Sequence, residues 1–90
     1  MTETLVKTAA ETQGQRELAK VGVEVSGPLT CTTGRNGDDI SLSCNGTALD
    51  GRQVSVTGTA TSAPGGSTVA GQFIGMAAGQ QVFALDCLGC

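Results

Sequence analysis

Four cysteines are the residues best equipped for chemistry in this 90-residue chain: Cys31, Cys44, Cys87 and Cys90. Cys31 and Cys44 stand in a C-x12-C spacing, on consecutive extended segments and each beside apolar neighbours of the same face. Both would point inward, so a cross-strand disulfide is geometrically open to them. Closing a loop of about 14 residues would contribute roughly 3 kcal/mol in the chain-entropy treatment. The competing reading is two reduced, buried thiols that behave as small hydrophobes. Composition favours the bond and the lack of an export signal favours the thiols, so both stay open.

Cys87-Leu88-Gly89-Cys90 is a CxxC at the end of the sequence. A redox CxxC normally opens a helix, whose N-terminus lowers the thiolate pKa. No helix follows here, which counts against a thioredoxin-like role. A zinc site would need all four sulfurs, and one C-x2-C with one C-x12-C matches four-cysteine knuckles poorly. The ending also fits a prenylation box badly, with Gly and Cys in its last two places. All four cysteines are therefore disulfide candidates first, Cys87 and Cys90 accessible thiols second, and no metal is assigned.

Little else offers reactivity. Histidine is absent, which removes the usual general base and the commonest metal ligand. Asp38, Asp39 and Asp50 fall at turns, where Asp is favoured for backbone reasons. Pro64-Gly65-Gly66-Ser67 has neither a P-loop lysine nor a following helix, so it reads as a loop. Asn45-Gly46-Thr47 matches a glycosylation sequon, but a turn at a strand end explains it as well. Neither an enzyme nor a bound cofactor is expected.

Composition bounds the partners. The net charge is −3, and the five basic residues are spread along the chain. With no basic cluster and no aromatic ladder, a nucleic-acid surface is not expected. No apolar run approaches the roughly 20 residues that a membrane span needs. The first residues lack the basic start and apolar stretch of a secretory signal, which points to the cytoplasm. A mature domain of an exported protein is the alternative. A chain this short buries roughly 60–65% of its unfolded surface. Phe73 and Phe83 are its only large rings, so a cross-link or a partner would help it.

Residues 3–20 predict one helix, with Leu5, Val6, Ala9 and Ala10 on one arc. Glu3, Lys7 and Glu11 lie at i, i+4 spacing on a neighbouring arc, where they can pair. Thr2 is the expected N-cap and Gly22 the residue just past the C-cap. Leu18 falls among charges and Arg16 among apolar residues, and Gly14 costs about 1 kcal/mol against Ala.

From Val21 the period changes to two. Val21, Val23 and Val25 predict a first strand, followed by a bend at Ser26-Gly27-Pro28. Leu29, Cys31 and Thr33 share a face, and Gly34 to Asp38 read as a turn longer than two residues. Further strands are expected over 39–45, 53–62, 68–77 and 81–85, separated by Asp50-Gly51, the 63–67 loop and Ala78-Gly79-Gln80. Ile40, Leu42 and Cys44 alternate with Ser41 and Ser43, and Val54, Val56, Gly58 and Ala60 with Ser55, Thr57 and Thr59. The large apolar residues are too few to fill a two-sheet sandwich.

The expected fold is α+β. A helix within 1–20 crosses a single antiparallel meander of five or six strands within 21–90, in one domain. Phe73, Val54, Val56, Ile40 and Leu42 are expected beneath Leu5, Val6, Ala9 and Ala10.

Two segments carry a resemblance: Cys44-Asn45-Gly46-Thr47 through Asp50-Gly51-Arg52-Gln53-Val54-Ser55-Val56-Thr57-Gly58, and Gln81-Val82-Phe83-Ala84-Leu85-Asp86-Cys87-Leu88-Gly89-Cys90. Together they resemble small uncharacterised proteins and lipoprotein domains of actinobacteria, which carry paired cysteines on a short antiparallel sheet. The resemblance implies this fold and an exported protein, and it lends no mechanism.

The leading functional expectation is a non-catalytic interaction or structural module, self-associating or part of a larger cellular or phage assembly. Ser/Thr-rich strand faces and edges are what such a chain exposes. One alternative is a thiol or metal protein acting through Cys87 and Cys90. Another is a precursor peptide with residues 1–20 as its leader, against which the regular strand alternation weighs.

Overall fold

Thr2 starts the fold by capping a helix. In the computed structural model, which describes residues 2–62 and 69–88, the Thr2 hydroxyl accepts from the Leu5 N–H at 3.1 Å. Helix α1 then runs over Glu3–Lys20, as its spacing predicts. It ends in a Schellman motif: Gly22 N–H donates to the Ala19 carbonyl and Val23 N–H to that of Leu18. Gly22 takes φ 83° there, a conformation that a side chain would disfavour.

The helix buries Val6, Ala9, Ala10, Gly14 and Leu18, while Leu5 is half-buried. Leu18 is thus a core residue, not a misfit among charges. Val6, Ala10, Gly14 and Leu18 step by four, and that row rotates about 40° per step around the helix. It suits a twisted sheet, whose strands turn under the helix in the same gradual way. Gly14 faces Leu29 and Val56, close enough that an added Cβ would touch both. Glu3 does not spend its carboxylate on Lys7; it accepts from the Thr33 hydroxyl at 3.1 Å.

Five strands follow: β1 (Thr30–Asn36), β2 (Asp39–Thr47), β3 (Gln53–Ser62), β4 (Val69–Ala77) and β5 (Gln80–Leu88). They pair antiparallel in chain order, giving one five-stranded meander with α1 packed on one face. The helix approaches every strand, and the edge strands β1 and β5 most extensively, so the sheet curls around it. Ile40, Leu42, Val54, Val56 and Phe73 are all buried, with Val23, Leu29, Val69 and Leu88 completing the core.

Four local expectations need correction. Val21 to Val25 make no strand; after the Schellman turn there is a single bridge, between Val25 and Ala48. The β1–β2 turn is two residues, Gly37-Asp38, because β1 pairs right up to Asn36↔Asp39. Strand β2 reaches Thr47, beyond the expected end at Asn45. Strand β5 runs on to Leu88, three residues past the expected end, and so carries Cys87. The loop expected over 63–67 lies outside the described residues.

Candidate functional site

The cysteines do not converge. Cys31 and Cys44 face each other across β1 and β2, with Cα atoms 4.0 Å apart, and are disulfide-bonded. Both are buried against the core, at 4% and 0% exposure, so the bond is structural and closed to substrates. Cys87 is half-buried on β5, at the opposite edge of the sheet, and is itself disulfide-bonded. Cys90 lies outside the described residues. Among the described residues, no three His, Cys, Asp or Glu side chains are grouped to hold a metal ion.

Catalytic acids and bases depend on burial and charged neighbours to tune them. Among the described residues no polar or charged side chain is buried. The Asp50 carboxyl is held below its ordinary value, first by the Arg52 backbone N–H, which donates to it at 3.1 Å. The Arg52 guanidinium adds a 2.7 Å ion pair. Both residues are exposed at the β2–β3 turn, and there they shape the turn.

The surface that the fold does set apart is the sheet face turned away from α1. Strand register aligns its residues in rows across the sheet. One row is Thr32, Ser43, Thr57, Ile74 and Ala84. A second is Thr30, Asn45, Ser55, Met76 and Gln81, and a third is Gly34, Ser41, Thr59 and Gln72. No residue in the three rows carries a charge, and Asp86 stands at their margin beside Gln72. Asp39, at the start of β2, borders the face beyond Ser41, and Arg35 stands on the helix side of β1. The other charges lie on α1 and at the turns, among them Lys7, Arg16, Lys20, Asp38, Asp50 and Arg52.

Hydroxyl groups make this face look more polar than it is. The Ser41 hydroxyl donates to the Gly34 carbonyl at 3.0 Å. Those of Thr32 and Thr61 donate to the Ser43 and Ala70 carbonyls at 3.4 and 3.3 Å. With their protons turned to the sheet, these side chains offer methyl or methylene groups and acceptor lone pairs outward. Ile74 lies on this face, on the strand next to the β5 edge, at 39% exposure. Shallow depressions mark it, one of about 410 Å³ between Ile74, Ala84 and Asp86, and another of about 430 Å³ between Thr59, Thr61 and Gln72.

Single-sequence reasoning found the Ser/Thr alternation but not the uncharged rows, which exist only once the register is fixed. It also missed Leu49, which stands 66% exposed on the β2–β3 turn. No helix among the described residues is long and apolar enough to cross a membrane. Comparison of the chain with protein-family models, with curated proteins and with solved structures found no match.

Proposed function

We propose that this chain is a non-catalytic interaction module that grips a protein partner with the open face of its sheet. The observation that carries this reading is the set of uncharged rows spanning all five strands. Protein–protein contacts deplete charge at their centre and keep it at the rim. The face follows that plan, with Thr57 at its centre, Ile74 beside it, and Asp39 and Asp86 at the margins. Most of its side chains are short, so its relief is low and its depressions shallow, which fits an uncharged partner surface without deep protrusions. Nucleic acid is a poor match, because no Lys or Arg stands in the rows.

The Cys31–Cys44 bond supports work in an oxidising compartment, the exported alternative, since such bonds persist poorly among cytosolic reductants. A thiol or metal role draws no support from Cys87, whose sulfur is tied up in a disulfide. The precursor reading also loses ground. Residues 3–20 are packed into the core, and a leader segment has no need to be.

A photo-crosslinking amino acid tests the reading when placed at Thr57 or Ile74, and separately at Thr12 on the exposed side of α1. In producing cells, a discrete protein adduct is expected from the two sheet positions and not from Thr12. Adducts from Thr12 alone, or none from the sheet face, would overturn it. Intact mass after thiol blocking at harvest checks the compartment, with Cys31 and Cys44 expected to escape the blocking reagent.

A further inference from the structure

The two edges of the sheet are not equivalent. At β5 the ladder slips twice, between Ala70 and Phe73 and again between Gly75 and Met76. Bulges of this kind twist an edge and blunt it against further pairing. At β1 the register runs from Thr30↔Asn45 to Asn36↔Asp39 without a slip. Strand β1 also holds no proline and no lysine, the other common edge protections.

Cys31 and Cys44 approach as closely as a non-hydrogen-bonded pair, whereas a two-residue turn is closed by a hydrogen-bonded one. Alternation from these fixed points turns the backbone N–H and C=O of Cys31, Thr33 and Arg35 away from β2. Among the described residues, no turn or loop backbone group bonds to Cys31 or Thr33 from that side.

We propose that β1 pairs antiparallel with β1 of a second copy, about a two-fold axis at Thr33, making one ten-stranded sheet. Thr33 then faces Thr33, and Cys31 faces Arg35. Charge selects both the partner and the register. Glu3 is fixed beside Thr33 by the 3.1 Å hydrogen bond from its hydroxyl, and Arg35 lies two residues along on the same side of the strand. Antiparallel pairing at Thr33 brings Arg35 of each copy diagonally toward Glu3 of the other. A slip of two residues to centre on Arg35 would instead oppose like charges. The contact is one strand wide, at the small end of specific interfaces, so the dimer should depend on concentration. It uses the edge and leaves the open face free, which makes it independent of the proposed partner surface.

Sedimentation velocity over a concentration series tests this on the full chain. Wild type is expected to pass from monomer to dimer as concentration rises. Thr33→Pro removes an outward N–H that β2 does not use, and should hold the protein monomeric throughout. Arg35→Glu should weaken the dimer about three- to tenfold, and the pair Glu3→Arg with Arg35→Glu should restore it. If Thr33→Pro fails to fold, the charge reversal and its rescue still decide. A monomer at every concentration, or a dimer indifferent to Arg35→Glu, would overturn the proposal. So would a dimer lost with Thr57→Lys on the open face, which would place the contact there instead.

Discussion

Cys31 and Cys44 lie directly opposite one another on β1 and β2, their Cα atoms 4.0 Å apart and their bond beneath the helix-facing side of the sheet. Non-hydrogen-bonded antiparallel pairs are the ones that bring Cα atoms this close. The bond links residues 13 apart, so it restrains the unfolded chain by about 3 kcal/mol in the loop-entropy treatment. A 90-residue chain with two phenylalanines and no other large ring has little stability in reserve. Replacing both cysteines by alanine should therefore lower the unfolding free energy by about 2–4 kcal/mol, read as a lower urea midpoint. In the native protein the pair should resist mild reductant, because neither sulfur is open to an attacking thiol. Rapid reduction and alkylation of Cys31 and Cys44 without unfolding would contradict this placement.

That pair was legible in the sequence because Leu29-Cys31-Thr33 and Ile40-Leu42-Cys44 alternate cleanly, and no bulge disturbs β1–β2. Strand β3 is readable from the same alternation, with Val54 and Val56 inward and Thr57 and Thr59 outward, although its register on β4 shifts between Ala60 and Ser62. Val21-Val23-Val25 carries an equally good alternation, yet the Schellman turn spends Val23 on capping the helix and burial in the core. Local pattern cannot foresee that loss. Leu18 was misplaced because a helical wheel assumes a straight stripe, whereas the curled sheet follows the i+4 row. The open face was half visible. Its Ser/Thr content is written in the strands, but the uncharged rows depend on bulges at β4–β5 that no short-range signal announces.

The β2–β3 turn yields a pH prediction. Arg52 donates its backbone N–H to one Asp50 oxygen and its Nε to the other, at 3.1 and 2.7 Å. Both bonds favour the charged carboxylate, so its titration midpoint should fall below the ordinary 3.8. A folded-state value below the unfolded one adds stability above the ordinary value and loses it as pH falls through the lowered one. Asp50 is exposed to solvent, so the unfolding midpoint should barely register this. Carboxyl-carbon NMR of Asp50 is the proper readout. Arg52→Gln should move the midpoint only part of the way back, because the backbone donor remains. A midpoint at or above the ordinary value in wild type would contradict the turn geometry.

Ala78 is the one non-glycine among the described residues with positive φ, at 52°, followed by Gly79 at 80°. Two such residues in succession make the turn between β4 and β5 type I′, whose twist matches the flanking strands. Both residues crowd Cβ against the carbonyl oxygen there, but the short polar side chain of asparagine can hydrogen-bond locally, so it tolerates this conformation better than alanine. Ala78→Asn should stabilise by about 0.5–1 kcal/mol, a rise in melting temperature of roughly 3–6 °C for a domain of this size. The Ala78 N–H bond to the Gln53 carbonyl, 2.9 Å long, involves only backbone and survives the change. A fall in melting temperature would mean that the turn is not of this type.

Two glycines separate close approach to rigid backbone from close approach to a yielding side chain. At Gly58, in the middle of β3, an added Cβ would overlap the Gln72 carbonyl oxygen and reach 2.9 Å from the Phe73 Cα. Backbone of a neighbouring strand cannot step aside without breaking the β3–β4 ladder. Gly58→Ala should therefore cost about 3 kcal/mol, as overpacking does where nothing can relax. At Gly14, in the middle of α1, the same atom would meet Leu29 Cδ1 at 3.3 Å and Val56 Cγ2 at 3.5 Å. The nearer contact is the tip of a side chain, which can give by a few tenths of an ångström. Alanine in a helix interior meanwhile gains about 1 kcal/mol over glycine. Gly14→Ala should come out about 0.5 kcal/mol more stable, with the gain in helix propensity exceeding the cost at Leu29. Urea unfolding of the two variants beside wild type decides it. If Gly14→Ala is as damaging as Gly58→Ala, then α1 sits on Leu29 and Val56 with no slack. Its buried row would then be held as rigidly as the ladder itself.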